Sequence, residues 1–238
     1  MTDLPDAGLP PDAPADPDPA LTARFPWPPP EDESLITALG ETWRRAVFQP
    51  RPFYAALPDG GTGAAVLYYL VVGIAAAALQ LFWDTVLPYG GDWLGLLDPG
   101  TRISPLVNFL LSPLYLIASL VLAGGVTHLV LLVLVREPRG FGTTVRVYAY
   151  AYSPMLFAVV PRVGALIGFI WMVVIAVIGV REAHRTTTGR AATAVLVPLV
   201  LALVLIAAAA LLLAAGAVLL THSGAVPGEP GVALSGPG

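Results

Sequence analysis

A chain of 238 residues with 56% hydrophobic side chains, only 12% charged ones and a mean hydropathy of +0.77 is excluded from the ordinary soluble class: runs this apolar need lipid as their outer solvent. The formal net charge of −4 is an average over segregated charges, with acids crowding the first 33 residues and arginines flanking the apolar runs, so no nucleic-acid partner is expected. Cysteine is absent, which excludes disulfides and thiolate metal sites.

All 12 basic residues are arginine, and the chain is rich in Ala, Gly, Pro and Val, the bias of a GC-rich prokaryotic genome. The first 30 residues have neither a basic start nor an apolar stretch, so no signal peptide is expected. Residues 1–31 hold 10 prolines and one basic residue, too little apolar surface to offset chain entropy, and are read as a disordered cytoplasmic tail. Within it Phe25–Pro30 reads as a stiff linker, with a polyproline docking peptide as the alternative.

Residues 32–57 change character. Leu35, Leu39, Trp43 and Val47 recur every fourth position while Glu41, Arg44 and Arg45 lie off that stripe, the pattern of an amphipathic helix with Asp32 or Ser34 as its N-cap. Trp43, Arg44 and Arg45 suit the cytoplasmic headgroup layer or the surface of a protein partner.

Residues 58–220 are read as an all-α, polytopic membrane helix bundle. Five transmembrane helices are expected, at about 64–83, 113–135, 144–160, 163–180 and 198–220, since ~20 apolar residues cross the ~30 Å hydrocarbon layer. Trp83, Tyr89 and Trp93 mark the far interface after the first. The 30 uncharged residues from Leu106 to Val135 exceed one straight span, so Pro105–Leu111 is read as a separate interfacial or re-entrant helix before a second start at Pro113. Pro154 is expected to bend the third span, and Pro198 to break an interfacial turn off the fifth. Residues 221–238 form a Gly/Pro-rich end. With the N-terminus inside and the C-terminus outside, 10 arginines are cytoplasmic and Arg102 and Arg162 are not, a strong positive-inside bias; a six-span alternative reverses it and is rejected. The chain is placed in the cytoplasmic (inner) membrane.

His128 is the one ionisable group expected within a span. On the face that carries Gly124 and Gly125 it should point into the bundle, at a depth that suggests a hydrogen bond to Tyr152 or Ser153. A helix-tying histidine outweighs a proton relay, because no span holds an Asp, Glu or Lys partner. Tyr148 and Tyr152 share one face, with Trp171 expected opposite them, and Gly164 and Gly168 form a GxxxG step for close packing within the hairpin. Arg181, His184, Arg185 and Arg190 form a basic inner loop, ordinary anchoring or a contact for an anionic headgroup or a partner. No catalytic, cofactor or metal constellation is found.

From Phe48 to Leu57, and through GFGTTVRVYAYAYSPMLFAVVPRVGALIGFIWMVVIAVIGVREAHRTTTGRAA, the chain resembles prokaryotic members of the Yip family of multi-pass membrane proteins. The likeness rests on order and spacing: Tyr150 to Pro154, Pro161 to Gly164, Trp171 in mid-helix, Gly179 and Arg181, His184, and Arg190 opening the last span. It implies a five-span bundle with a cytoplasmic N-terminal region, and a non-enzymatic role in organising membranes or recruiting cytoplasmic partners. The eukaryotic branch has an acidic Asp-Leu-x-Gly-Pro motif where this chain reads Leu57-Pro58-Asp59-Gly60-Gly61, a departure from the pattern tied to GTPases. The partners expected are the bilayer, a cytoplasmic protein and a second copy of the chain. The alternative is a small-molecule or lipid transporter using His128 as its polar site.

Overall fold

The structure, a computed structural model, describes residues 25–29, 31–87 and 104–223. The expectations for the acidic tail before Phe25, for Tyr89 and Trp93, and for the C-terminal end beyond Ser223 lie outside the described residues. The regular structure of the described residues is all helical, with no strand: α1 (Leu35–Phe48), α2 (Pro50–Ala55), α3 (Thr62–Val86), α4 (Pro105–Leu134), α5 (Phe141–Ala151), a 3-10 helix (Ser153–Val159), α6 (Gly164–Ala183) and α7 (Thr188–Ser223). Four of them, α3, α4, α6 and α7, are long and apolar enough to cross a membrane.

Helix α1 starts where its sequence says it should, with the Ser34 hydroxyl accepting from the Thr37 N–H at 3.2 Å. Helix α3 packs on α4, α5 and the 3-10 helix; α7 packs on α4 and α6; α1 and α2 lie against α5, the 3-10 helix and α6. From Leu201 to Ala215 nearly every side chain of α7 is exposed, and the residues are Leu, Val, Ile and Ala. A helix apolar on all sides and uncovered by protein is solvated by lipid.

Three expectations about prolines are corrected. Pro105 to Leu134 is one continuous 30-residue helix with Pro113 inside it, so no separate helix precedes Pro113. Likewise Pro198 sits inside α7 without breaking it. A proline removes one helix hydrogen bond and crowds one carbonyl, a local cost that a long apolar helix absorbs as a bend because unwinding in lipid exposes more backbone. Pro154 does more than bend its segment: α5 ends at Ala151, and the chain continues as a 3-10 helix from Ser153.

The GxxxG step packs α6 against that 3-10 segment. A Cβ at Gly164 would lie 1.8 Å from the Phe157 carbonyl oxygen, and one at Gly168 2.5 Å from that of Pro154, so only glycine permits the approach. Gly124 meets Val145 and Phe141 of α5, whereas Gly125 faces open space and forms no notch. Phe25 and Trp27 depart from the linker reading. Trp27 is buried and its Nε1 donates to the Ala64 carbonyl at 2.7 Å, while the Phe25 ring lies 4.8 Å from Phe53.

Candidate functional site at the α5 break

At the break, Pro154 has no N–H to give the Tyr150 carbonyl, and the Ser153 hydroxyl donates to it instead at 2.6 Å. That uses the only hydrogen on Ser153 Oγ, so the Tyr68 hydroxyl, 2.8 Å away, donates to it. The Ser153 carbonyl then accepts from Trp43 Nε1 at 2.9 Å. One buried serine thereby joins α1, α3 and α5. Around it Tyr150 meets Tyr68 at 5.2 Å, Phe53 at 5.3 Å and Phe25 at 5.4 Å, ring separations at which aromatic pairs add to area burial.

Helix α1 is held from two sides. Trp43 reaches inward to Ser153, and Trp171 Nε1 of α6 donates to the Val47 carbonyl at 3.0 Å. Ala38, Thr42, Ala46 and Val47 are buried beneath it. Of its apolar side chains, Leu35 and Ile36 at the N-terminal end and Phe48 at the C-terminal end are exposed by 66%, 85% and 63%, while the side turned away from the bundle carries Thr37, Gly40 and Arg44. Beside that face, Glu41 receives Arg44 through two bonds of 2.7 and 2.9 Å and Arg45 through one of 2.6 Å. Arg44 first, then Arg45, holds the Glu41 carboxyl down at about 2, against the opposing pull of partial burial. Of the residues expected at a headgroup or partner surface, Arg44 is exposed, but Trp43 is turned inward as an anchor, and Trp171 faces α1 rather than Tyr148 or Tyr152.

A second polar set lies toward the N-terminal end of α5. His128 Nδ1 is 3.0 Å from Thr144 Oγ1, which is 3.1 Å from His184 Nε2. The single Thr144 hydrogen serves one ring while its oxygen accepts from the other. His128 bonds neither Tyr152 nor Ser153. Helix α5 begins at Phe141, three residues before the expected start, so those two residues sit deeper than a count from Thr144 places them. Tyr148 instead pairs its hydroxyl with Thr127 at 2.6 Å, and Tyr152 meets Tyr69 edge-to-face at 4.7 Å. Burial, reinforced by the nearby His128, Arg139 and Arg146, pushes His184 down to about 4.

Arg146 escaped the sequence reading, which counted it only as an inner positive charge. It is 3% exposed; Nη1 donates to Thr62 Oγ1 at 2.9 Å and Nη2 to Thr143 Oγ1 at 3.0 Å, while Nε has no partner among the described residues. Its signal was visible, since it stands among uncharged residues one helical turn after Thr143.

The residues of the family pattern have physical assignments. Tyr150 is core, Pro154 makes the break, and Pro161 opens a turn in which Arg162 takes φ 68°. His184 ties α6 to α5 through Thr144. Arg181 meets Glu182 at 3.0 Å and Thr188 at 3.4 Å, and the Arg190 N–H is capped by Thr187 Oγ1 at 3.4 Å. Arg185 ends α6 with its backbone. At φ 50° it closes a Schellman turn, with the Thr186 N–H on the Arg181 carbonyl at 3.0 Å and its own on the Glu182 carbonyl at 3.3 Å. Among the described residues no group of three His, Asp or Glu side chains is placed to hold a metal.

Residues 44–220 match the family model described as the Yip1 domain. Neither a curated protein nor a solved structure matches the chain.

Proposed function

The chain belongs to the Yip1 domain family, and from that premise we propose that this integral membrane protein is a non-enzymatic scaffold that recruits a cytoplasmic partner to a prokaryotic cytoplasmic membrane. The observation that carries this reading is the double docking of α1 by Trp43 and Trp171, with Leu35 and Ile36 at one end of the helix and Phe48 at the other left exposed. A helix held only to lie in lipid needs no hydrogen-bonded register on the bundle. A surface that recruits gains from being held still, because less ordering entropy is lost when the partner arrives.

In this reading the chain crosses the bilayer five times, N-terminus in and C-terminus out. The fifth crossing is the broken segment from Phe141 to Val159. Its 11 α-helical and seven 3-10 residues extend about 30 Å at ~1.5 and ~2.0 Å per residue, a hydrocarbon thickness. Helix α1 then lies in the cytoplasmic headgroup layer as an amphipathic platform, and the loop from Arg181 to Arg190 faces the same side. The arginine distribution supports that orientation.

A photoreactive side chain at Leu35 tests the recruitment. The expected result in intact membranes is a discrete protein adduct that disappears in Ile36→Glu, whose 85% exposure keeps its effect on stability within about 0.5 kcal/mol. Adducts with lipid alone would remove the recruiting role.

A further inference from the structure

Helices α3 and α4 touch closely at one level and part above it. At the contact, Gly73 lies so near Leu116 that an added Cβ would be 2.6 Å from Leu116 Cδ1, and the Tyr69 hydroxyl donates to the Leu116 carbonyl at 3.1 Å. Toward the C-terminal end of α3 and the N-terminal end of α4 the helices enclose a cleft of about 270 Å³, just under the ~300 Å³ lower bound of small-molecule sites and of headgroup size.

The walls of this cleft are unusual for two apolar helices. Asp84 lies in the last turn of α3, where one carboxylate oxygen accepts from Gln80 Nε2 at 2.8 Å; the other has no partner among the described residues. Across from it Asn108 makes no side-chain hydrogen bond among the described residues, and Ser112 Oγ is buried without a partner. Pro113 cannot donate to the Phe109 carbonyl, one turn earlier on the same wall. Buried polar atoms are normally paired; Ser112 Oγ has no such pairing among the described residues, and it shares the groove with the half-exposed Asp84 carboxylate and the exposed Asn108 amide, a grouping that marks a place for a ligand.

The chemistry selects the ligand. Among the described residues the lining carries one negative charge and no positive one, with the oxygens of Asp84, Asn108 and Ser112 as acceptors and the rings of Phe109, Tyr115 and Tyr152 beside them. Such a set receives a cation with several N–H donors and repels a free anion. Leu81, Ala77 and Leu116 continue the walls as apolar surface, which suits a molecule with a hydrocarbon portion. We propose that the α3–α4 cleft binds the primary ammonium headgroup of a zwitterionic lipid of the phosphatidylethanolamine type. The ammonium donates to Asp84, Asn108 and Ser112, and the acyl chains run along the apolar wall into the bilayer. This site is independent of the α1 platform and stands or falls without it.

The test uses the full chain in detergent with dioctanoyl phosphatidylethanolamine as probe, bound lipid being counted by native mass spectrometry. Dioctanoyl phosphatidylglycerol and the tail-free glycerophosphoethanolamine serve as comparators. The expected preference for the ethanolamine lipid over the glycerol lipid is about tenfold or more, the worth of one charge-assisted hydrogen bond. Asp84→Asn, isosteric and able to keep the Gln80 contact, should erase that preference while the unfolding temperature holds. Asn108→Leu, on an exposed helix face, should block binding by filling the cleft. Equal or tighter binding of phosphatidylglycerol overturns the proposal, as does an Asp84→Asn protein that retains the preference. Tail-free headgroup binding as tightly as the lipid overturns the lipid assignment. Should Asp84→Asn fail to fold, undiminished binding in Asn108→Leu is the overturning result.

Discussion

Gly164→Ala is expected to lower the unfolding free energy by about 3 kcal/mol or more, the upper range for forcing an atom into a packed core. The new methyl would lie 1.8 Å from the Phe157 carbonyl oxygen, and the atom in the way is backbone, which cannot rotate aside. Gly168→Ala meets the Pro154 carbonyl at 2.5 Å and should follow the same course with a smaller loss. Gly125→Ala, with nothing within 4 Å, is the matched control and should be neutral or slightly stabilising, since alanine is the better helix former by ~1 kcal/mol. Denaturant unfolding in detergent micelles ranks the three. If Gly164→Ala unfolds with Gly125→Ala, then α6 does not rest on the 3-10 segment. The consequence reaches the proposed function, because that segment begins with Ser153, whose carbonyl receives Trp43. Moving it releases one of the two anchors of α1.

Arg146 gives the second large effect. A 3% exposed guanidinium with two threonine hydroxyls as its hydrogen-bond partners, and no carboxylate bonded to it among the described residues, is costly to bury. Its removal nonetheless hurts, because it fills volume between α3 and α5 and satisfies Thr62 and Thr143. Arg146→Ala leaves a cavity and two unpaired hydroxyls and should lose about 2–4 kcal/mol. Arg146→Met keeps most of the volume and removes the buried charge, and replacements of that kind are often neutral or stabilising by ~1 kcal/mol or more. The prediction is therefore an ordering: methionine close to or above wild type, alanine far below both, in the same unfolding assay. Methionine as damaging as alanine would mean that the charge is needed, not the volume.

The helices were legible in the sequence wherever one physical effect dominated. The apolar runs set where α3, α4, α6 and α7 lie, Ser34 marked the start of α1, and the spacing of Gly164 and Gly168 announced a close approach that α6 makes on the 3-10 segment. Prolines were read less well because the same residue has opposite outcomes in different settings. Pro113 and Pro198 stay inside long apolar helices, whereas Pro154 ends one, with Ser153 standing in as donor to Tyr150 and Trp43 taking the carbonyl of Ser153. That exchange depends on α1, more than 100 residues away, and no local pattern contains it. The partner of His128 failed for a geometric reason: starting α5 three residues too late makes every depth in it ~4.5 Å too shallow, so Tyr152 and Ser153 were set level with His128 when they lie beyond it. Trp27 was lost to composition, since a proline-rich stretch hides the one indole that reaches the Ala64 carbonyl.

In the proposed topology the broken segment from Phe141 to Val159 crosses the bilayer, with α1 and the turn before α5 on one side and Arg162 on the other. Because the chain contains no cysteine, single cysteines at Ile36, Glu137 and Arg162 can be labelled one at a time with a membrane-impermeant maleimide in intact cells and in inverted vesicles. The account predicts that Arg162→Cys reacts only from outside, and that Ile36→Cys and Glu137→Cys react only once the inner face is open to the reagent. Glu137→Cys and Arg162→Cys reacting from the same side would contradict it.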